Sequence, residues 1–558
     1  MKKIFIVLLL VISTIMMANA QPLSYVWSMD YTELPVSKTF VDEIGNVYLI
    51  GSFYNSIDLN LGAGSDIVIS NGSSDIFFAK YDKNGNYLWG KSVGGIGGDN
   101  GNEIIVDNQL NIYIAGTFQD TVDFDSNIGI NNLVYLSGNI FFAKYDINGN
   151  YIYAKNIGSS DLSNFNSLNY KFAIDNQYNL YLLGVFIGEG DFDPSSSYVS
   201  MTGDNSLFLA KYDANGGYLW SGTTSRIFPL GYNYLYNIAI DNNNSIYLTG
   251  SFWNSVDFDI SASTHYISSL GSADIFFAKY SSSGNLVFTK TIGSLGGEGV
   301  TDILIDNSKS IIIMGQFSGM LDFDPSGNMV TLNSQGYGDI FIAKYDSVGN
   351  YTWAKSFGGV GVDKGNSICI DASNNLYTTG LFNGNACIDP LGSIGGNATS
   401  QGDADIFFSK YNSNCELIWA KSMGTFGYDT GYYIKKGGSN NIYLVLQCSD
   451  SLDVDFDQNV IKIGNGIVKY TELPTSIEES LSNIFEVYPN PTLGSVSIKS
   501  NQILNNILVE IIDIGGRIIY SRAFEDTNFI DLILGEKGVY FIRVEYQNEL
   551  HYYKVIKI

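Results

Sequence analysis

Apolar runs of strand length alternate with Gly-, Asn- and Asp-rich turns along most of this chain, and the whole pattern returns about every 66 residues. Each repeat contains four such runs, and none shows the period of about 3.6 residues that an amphipathic helix requires. A Lys-Tyr dipeptide in the third run marks seven copies, at Lys80-Tyr81, Lys144-Tyr145, Lys211-Tyr212, Lys279-Tyr280, Lys344-Tyr345, Lys410-Tyr411 and Lys469-Tyr470. The pattern predicts an all-β repeat protein.

The size of the repeat and the polarity of its runs narrow the architecture. The third run, such as Ile76–Tyr81 ("IFFAKY"), is apolar on both faces, as expected for a sheet packed between two other sheets. Units of four strands and about 66 residues are typical of β-propeller blades, whereas β-helix rungs are shorter and sandwich domains need about 100 residues. We therefore expect a seven-bladed β-propeller over residues 21–472, followed by a small β-sandwich.

The turns and the two ends of the repeat array predict how the ring closes. The short turn Lys83–Asn86, with Asn-Gly at its centre, predicts that the third and fourth runs form a hairpin within one blade. The seventh copy ends after its third run, so we expect Tyr25–Met29 to pair with Gly466–Tyr470 as its missing outer strand. The fourth runs share an aromatic position that we expect to pack blade against blade: Trp27, Trp89, Tyr153, Trp220, Phe288, Trp353 and Trp419.

Charge and the N-terminus limit the partners and the destination. The 558 residues include 30 Lys and Arg against 56 Asp and Glu, and this net charge of −26 argues against nucleic acid. Two histidines, His265 and His551, leave little room for histidine-based catalysis or zinc sites. Residues 1–20 are typical of a secretory signal peptide, with Ala18-Asn19-Ala20 as the cleavage site. No other stretch approaches about 20 apolar residues, so we expect no transmembrane segment in the mature chain.

The cysteines are few and all lie in the last third of the propeller. Export permits disulfides, and four cysteines allow three pairings, among which the sequence does not choose. They are Cys369, Cys387, Cys415 and Cys448. Cys415 occupies a turn position that is Gly in five other copies, where a shared Gly usually means a positive φ. We expect Cys415 to be unpaired.

The repeat resembles a known family. Units of the form G-N-x-Y-x-x-G-x-F … D-x-x-x-x-K-Y-D-x-x-G-N-x-x-W-x-K, over about residues 22–472, are similar to the bacterial β-propeller repeat family of exported proteins. The resemblance implies the fold but no particular activity, because propellers support many functions.

The tail differs from the repeats. Residues 473–480 are typical of a linker, and residues 481–558 contain alternating β-runs. Four motifs resemble the C-terminal sorting domain of type IX secretion cargo: Tyr488-Pro489-Asn490-Pro491-Thr492, Asp513-Ile514-Gly515-Gly516-Arg517, Lys537-Gly538-Val539-Tyr540-Phe541 and Lys554-Val555-Ile556-Lys557. The resemblance implies binding to the type IX machinery, export through the periplasm, removal of the tail, and release or surface attachment. The alternative is an ordinary accessory β-domain.

An Asp-Phe-Asp motif follows the second strand in five repeats and supplies the candidate metal ligands. The paired residues are Asp123 and Asp125, Asp191 and Asp193, Asp257 and Asp259, Asp322 and Asp324, and Asp455 and Asp457. Oxygen-rich loops of this kind can hold Ca²⁺, which takes 6–8 oxygen ligands. The alternative is that these aspartates cap turns by accepting local N–H groups. Four further acids, Asp99, Glu298, Asp363 and Asp429, lie in Gly-rich loops that we expect on the same face of the propeller.

Catalytic signatures are missing from the sequence. It contains no G-x-S-x-G, H-E-x-x-H, P-loop or dinucleotide motif. We therefore predict a non-enzymatic, monomeric binding protein or scaffold outside the cell, with a protein or glycan ligand and no required cofactor. One alternative is an extracellular carbohydrate-active hydrolase or lyase that uses loop-face carboxylates. Another is a passive structural surface protein.

Overall fold

The computed structural model describes residues 23–125, 129–134, 139–158, 170–227, 236–261, 263–392, 396–438, 440–456, 460–473, 485–513, 517–546 and 549–557. Within these ranges the secondary structure consists of β-strands and turns, with no helix. The predicted signal peptide, most of the predicted linker with the first residues of the tail (474–484), and Asp457 lie outside them.

Seven antiparallel units, each with four main strands, form the repeat region of the described residues, and in six of them these strands are hydrogen-bonded in chain order. One of the sheets extends further into a hairpin of the next unit. β1 (Leu23–Asp30) is separate and belongs to the last unit. Blade one contains β2 (Val36–Val41), β3 (Val47–Asp58), β4 (Ile67–Tyr81) and β5 (Tyr87–Val93). Blade two contains β6 (Asn100–Val106), β7 (Ile112–Phe118), the accessory hairpin β8 (Thr121–Asp123) and β9 (Asn132–Val134), β10 (Asn139–Tyr145) and β11 (Tyr151–Ile157). Blade three contains β12 (Lys171–Ile174), β13 (Leu180–Asp191), β14 (Ser200–Tyr212) and β15 (Tyr218–Arg226).

The remaining blades repeat this plan. Blade four contains β16 (Tyr236–Ile240), β17 (Ile246–Phe252), the hairpin β18 (Ser255–Asp257) and β19 (Tyr266–Ser268), β20 (Asp274–Tyr280) and β21 (Leu286–Ile292). Blade five contains β22 (Gly299–Ile305), β23 (Ile311–Phe317), β24 (Met320–Asp322), β25 (Thr331–Asn333), β26 (Asp339–Tyr345) and β27 (Tyr351–Gly359). Blade six contains β28 (Lys364–Ile370), β29 (Leu376–Phe382), β30 (Asn385–Cys387), β31 (Asn397–Thr399), β32 (Asp405–Tyr411) and β33 (Leu417–Met423). Blade seven contains β34 (Thr430–Lys436), β35 (Asn441–Gln447), β36 (Leu452–Asp453), β37 (Lys462–Ile463) and β38 (Gly466–Glu472).

The hydrophobic core lies between neighbouring blades. Tyr48, Ile50 and Phe78 of blade one pack with Ile114 and Phe141 of blade two in one buried cluster. The third runs are apolar on both faces because each sheet is covered on both sides, as the sequence predicts. The β-propeller fold is confirmed.

The N-terminal strand closes the ring as predicted. β1 pairs antiparallel with β38, from Leu23 opposite Glu472 to Asp30 opposite Gly466, with one bulge between Tyr25 and Trp27. The Trp27 indole then donates to the Lys83 carbonyl in the turn of blade one, at 3.0 Å. A methyl group built on Gly85 of that turn would lie 3.3 Å from the Trp27 ring, so turn and ring are in contact. The outer-strand aromatic position therefore packs blade on blade.

The C-terminal domain is a two-layer β-sandwich. It contains β39 (Phe485–Tyr488), β40 (Ser495–Leu504), β41 (Ile507–Asp513), β42 (Ile518–Phe524), β43 (Thr527–Ile533), β44 (Gly538–Tyr546) and β45 (Glu549–Lys557). One sheet has the order β39-β40-β43 and the other β42-β41-β44-β45. Alternate residues such as Val496, Ile498, Val509 and Ile511 form the buried layer between them.

Candidate functional site

The Asp-Phe-Asp loops are held by hydrogen bonds within the chain. Oδ1 of Asp322 accepts the N–H of Asp324 at 3.1 Å and the N–H of Val330 at 2.8 Å. Asp123, Asp191 and Asp257 each accept the same two N–H groups, from two and eight residues ahead. The second aspartates cap the next turn in three blades, where Asp193, Asp259 and Asp324 accept the N–H of Ser195, Ser261 and Ser326. The geometry supports turn capping.

Blade seven corrects the sequence alignment by two residues. Asp453 accepts the N–H groups of Asp455 and Ile461, so Asp453 occupies the first position and Asp455 the second. Residues 453–457 alternate Asp with Val and Phe, so two overlapping pairs of aspartates fit the motif. The predicted pair, Asp455 and Asp457, is the wrong one of the two. Asp457 lies outside the described residues. Within the described ranges, no three His, Cys, Asp or Glu side chains form a group that could hold a metal ion. Calcium binding at these loops stays a prediction.

The tyrosine of each Lys-Tyr dipeptide anchors the same loop, a role the sequence analysis missed. The Tyr145 hydroxyl donates to the carbonyl of Phe124, which stands between the two aspartates, at 3.0 Å. The equivalent bond recurs in the other six blades, from Tyr81, Tyr212, Tyr280, Tyr345, Tyr411 and Tyr470. The repeat of Tyr and Asp-Phe-Asp along the chain thus reflects a structural contact.

The lysine of the dipeptide joins neighbouring blades. Lys211 lies with Nζ 4.8 Å from the centre of the Tyr181 ring, 3.3 Å from the Asp175 carboxylate, and donates to the Ser282 carbonyl of the next blade at 3.2 Å. A repeat aspartate is the expected partner of a buried ammonium, and it is found here. In blade seven that aspartate is missing, and burial lowers the pKa of Lys469 to about 8.

The first strands of all seven blades surround a central cavity of about 630 Å³. In six blades an Asp follows the first strand, as Asp42 does in blade one, and in blade seven Gly437 takes its place. The residue four positions before it lines the cavity in every blade: Lys38, Glu103, Lys171, Asn237, Asp302, Ser367 and Tyr433. The preceding residue adds Asn102, Tyr170, Asn366 and Tyr432, among others. A cavity of a few hundred Å³ with convergent polar groups is typical of a small-molecule site.

The cavity wall is more basic than the protein as a whole. Glu103 forms ion pairs with Lys38 at 3.3 Å and with Lys171 at 3.8 Å. Asp302 accepts Nδ2 of Asn237 at 2.8 Å and the N–H of Ile368 at 3.0 Å, and burial raises its pKa. Lys364 is a third cavity lysine, and burial lowers its pKa. Three lysines therefore face two carboxylates in a chain of net charge −26.

Two buried polar groups of the cavity wall have no hydrogen-bond partner among the described residues. They are the Tyr170 hydroxyl and Oδ1 of Asn102. Buried polar groups are nearly always satisfied, so these two atoms are exceptions in the wall, and the Tyr170 ring itself packs in the core between blades. The sequence signal for this site was weak: the first strands differ between repeats at the cavity-lining position and at the position before it, and no motif marks either one.

The sequence analysis expected the acids of the Gly-rich loops on the same face as the Asp-Phe-Asp loops, but in the structure they are buried. Asp99, Asp363 and Asp429 are 0% exposed and Glu298 is 3% exposed. Each lies between two blades, away from the central cavity. They therefore cannot form an exposed acidic face together with the Asp-Phe-Asp loops.

Comparisons with known proteins bear mainly on the tail. Residues 486–558 match the family model described as Secretion system C-terminal sorting domain. Over 544 residues the chain is 25% identical to Uncharacterized WD repeat-containing protein L264 of Acanthamoeba polyphaga mimivirus, covering 86% of this chain and 37% of that protein. The chain thus spans little more than a third of that relative.

Two solved structures are similar in part. One is a protein of unknown function from Bacteroides caccae, with a TM-score of 0.27 and 8% identity, covering 67% of this chain and 93% of that one. The other is Rhamnogalacturonan Lyase PL11 of Bacillus licheniformis, with a TM-score of 0.25 and 10% identity, covering 97% and 91%. Scores this low support no inference about this chain. None of its described residues lies in a helix that could span a bilayer. Residues 486–558 form a type IX secretion sorting domain, and the protein is directed to the cell surface or the extracellular space.

Proposed function

We propose that this exported propeller is a non-enzymatic binding protein and that its ligand, a glycan rather than a protein, occupies the central cavity. The observation that carries the proposal is the cavity itself. Its wall combines ring faces, amides, hydroxyls and lysines, and it leaves the Tyr170 hydroxyl and Oδ1 of Asn102 unpaired. Sugars present hydroxyl groups and apolar ring faces, which such a wall can bind. A folded protein partner would need a flat surface of larger area.

The charges of the wall favour an acidic glycan. Lys38 and Lys171 are paired with Glu103, whereas Lys364 makes no ion pair among the described residues. A carboxylate of the ligand would give the Lys364 ammonium a counter-charge and would reverse the lowering of its pKa by burial. The acidic outer surface would not attract such a ligand, so the cavity is the place where it is held.

The hydrolase or lyase alternative keeps one observation in its favour, because two carboxylates, Glu103 and Asp302, line the same cavity. The contacts of both acids favour binding over catalysis. Glu103 is held by two lysines, and Asp302 accepts the N–H groups of Ile303 and Ile368 as well as the Asn237 amide. A general acid or a nucleophile needs an oxygen free to reach the substrate.

Glycan binding by the mature chain (residues 21–558) tests the proposal. We expect calorimetry to detect binding of acidic oligosaccharides, such as oligogalacturonates, and weaker binding of neutral ones. Lys364→Gln removes a lysine without leaving a carboxylate unpaired, and we expect it to weaken binding roughly tenfold or more. Lys462→Gln, on an exposed hairpin, is the control with the same charge change.

Two results would contradict the proposal. One is the absence of binding to any acidic or neutral glycan, together with binding of a protein partner that Lys364→Gln does not affect. The other is turnover, seen as new reducing or unsaturated sugar ends that disappear in Glu103→Gln, which would establish the enzyme alternative.

A further inference from the structure

Four blades have, five residues before the repeat lysine of their third strand, a buried aspartate with an unsatisfied oxygen. These residues are Asp75, Asp274, Asp339 and Asp405, and each is at most 2% exposed. In each, Oδ2 accepts the N–H of the residue four positions earlier, as Asp339 does from Gln335 at 3.0 Å. Oδ1 of all four is buried and has no hydrogen-bond partner among the described residues. One such oxygen would be an exception, but four at equivalent positions indicate a common interaction that satisfies them.

Each of these aspartates lies beside a second buried acid from the loop that enters the next blade. The N–H of Asp363 donates to the carbonyl of Gly338, the residue before Asp339, at 2.8 Å. The same bond places Asp99 beside Asp75, Glu298 beside Asp274 and Asp429 beside Asp405. Parallel bridges between the preceding residues fix three of the four pairs.

A glycine makes room for each pair at the end of the outer strand. A methyl group built on Gly358 would lie 2.6 Å from Oδ2 of Asp363 and 3.1 Å from Oδ1 of Asp339. The unsatisfied oxygen of one acid and a carboxylate oxygen of the other therefore face the same point. A methyl group built on Gly94, Gly293 or Gly424 would be closer still to the strand aspartate, with nearest distances of 2.2 Å to Asp75, 2.0 Å to Asp274 and 2.0 Å to Asp405.

Three blades lack the strand aspartate, and blade three lacks both acids. Blades two, three and seven have Asn139, Ser206 and Gly464 at the strand position. The segment after the outer strand of blade three, residues 227–240, contains no acid.

No positive charge compensates the pairs. The ion pairs among the described residues involve none of the eight acids. Among the described residues, Asp339 is the charged group that acts on Asp363, and burial together with this neighbour raises the pKa of Asp363 to about 6. Burial likewise raises the pKa of Asp339, although hydrogen bonds from the N–H groups of Gln335 and Gly336 act in the opposite direction. Around the other pairs the further titratable groups are also acidic or neutral, namely Asp120 near Asp99 and the Cys448 thiol near Asp429.

We propose that each interblade carboxyl pair holds one proton, with Oδ1 of the strand aspartate as the hydroxyl that donates to the neighbouring carboxylate, and that these shared protons bind adjacent blades together. Such a proton satisfies the orphaned oxygen and removes one of two like charges from a buried site. The two acids of a pair then titrate as one unit.

A metal ion fits the same place poorly. In the Asp339 and Asp363 pair, three of the four carboxylate oxygens already accept backbone N–H groups, from Gln335, Gly359 and Asn383. These N–H dipoles repel a cation, and one free oxygen is far from the 6–8 that Ca²⁺ takes. A proton needs only one donor oxygen and one acceptor oxygen.

The direction of the pH effect follows from the raised pKa values. The folded protein binds this proton more tightly than the unfolded chain, whose aspartates have a pKa near 3.8. Between about pH 4 and pH 6 the folded state therefore holds more protons, and stability rises as the pH falls through this window. Above about pH 6 the proton is lost and the two buried charges repel.

Asp339→Asn in the mature chain tests the proposal, because the amide mimics the protonated acid and donates to Asp363 permanently. Thermal unfolding is measured at pH 5 and pH 8, each with EDTA and with added calcium. We expect the melting temperature of the variant to be higher than that of the parent by at least about 1 °C at pH 8. At pH 5 we expect no increase, because the parent already holds the proton. Asp403→Asn is the control, since it removes one acid from an exposed loop position.

Asp405→Asn repeats the test at a second pair. Three results would overturn the proposal. The first is a melting-temperature difference between variant and parent that is the same at both pH values. The second is a parent whose melting temperature falls in EDTA, together with an Asp339→Asn variant whose melting temperature does not respond to calcium, and the third is failure of both asparagine variants to fold. The second result would make the pair a cation site. The third would show that the ionised form is needed, because asparagine reproduces the protonated form.

Discussion

Cys415 allows a direct measurement of backbone strain in the turn that joins the third and fourth strands. Its φ is 61°, while the equivalent glycines of five blades, such as Gly349, have φ between 75° and 83°. An L-residue in this conformation costs about 1–2 kcal/mol relative to Gly. The chain accepts this cost in blade six, and Cys415 is unpaired, as the sequence analysis predicted, with all four cysteines free.

What offsets the strain is burial of the side chain. Cys415 is 0% exposed and packs in a cluster that includes Trp353, the outer-strand aromatic of blade five. Burying a side chain of this size contributes about 1 kcal/mol. Cys415→Gly removes strain and burial together, so we expect its stability to lie within about 1 kcal/mol of the parent.

Cys415→Ala separates the two effects, because it keeps the strain and loses most of the burial. We expect the Ala variant to be less stable than the parent by about 1 kcal/mol. The free energy of unfolding of the Gly variant should exceed that of the Ala variant by about 1 kcal/mol, after the extra entropy of Gly in the unfolded chain is subtracted. Urea unfolding of the three proteins measures these differences. Thiol counting under denaturing conditions should find all four cysteines. An Ala variant more stable than the Gly variant, or fewer thiols, would refute the reasoning.

Deleting residues 21–31 removes β1, exposes the edge of β38 and should lower the melting temperature or cause aggregation; a deletion variant as stable and monomeric as the parent would contradict this. Removing residues 481–558 should leave a folded propeller that stays in the periplasm of its host, and normal surface delivery of this form would argue against the sorting role. Asp322→Ala leaves two N–H groups without their acceptor and should destabilise the protein by about 1–3 kcal/mol, while calcium titration of the parent checks whether these loops also bind the metal.

The sequence was informative wherever a feature recurred. The strand order, the closing strand and the aromatic position were all predictable, because seven copies show which residues share one environment. Blade seven was misaligned because its Asp453 to Asp457 segment contains overlapping copies of the same pattern. The carboxyl pairs were out of reach, since Asp339 and Asp363 belong to different repeats and only the register of two blades brings them together.

The positions that repeat and the positions that vary have different tasks in this molecule. The tyrosine hydroxyl and the buried third strand recur because every blade must solve the same packing problem. At the cavity-lining position of the first strand, such as Lys38 or Glu103, no such problem exists, because that side chain faces the cavity and not a neighbouring sheet. The residue there is a lysine, an acid, an amide, a hydroxyl or a tyrosine in different blades. Seven blades of equal fold thus surround the cavity with unequal side chains, which is what recognition of an asymmetric ligand requires.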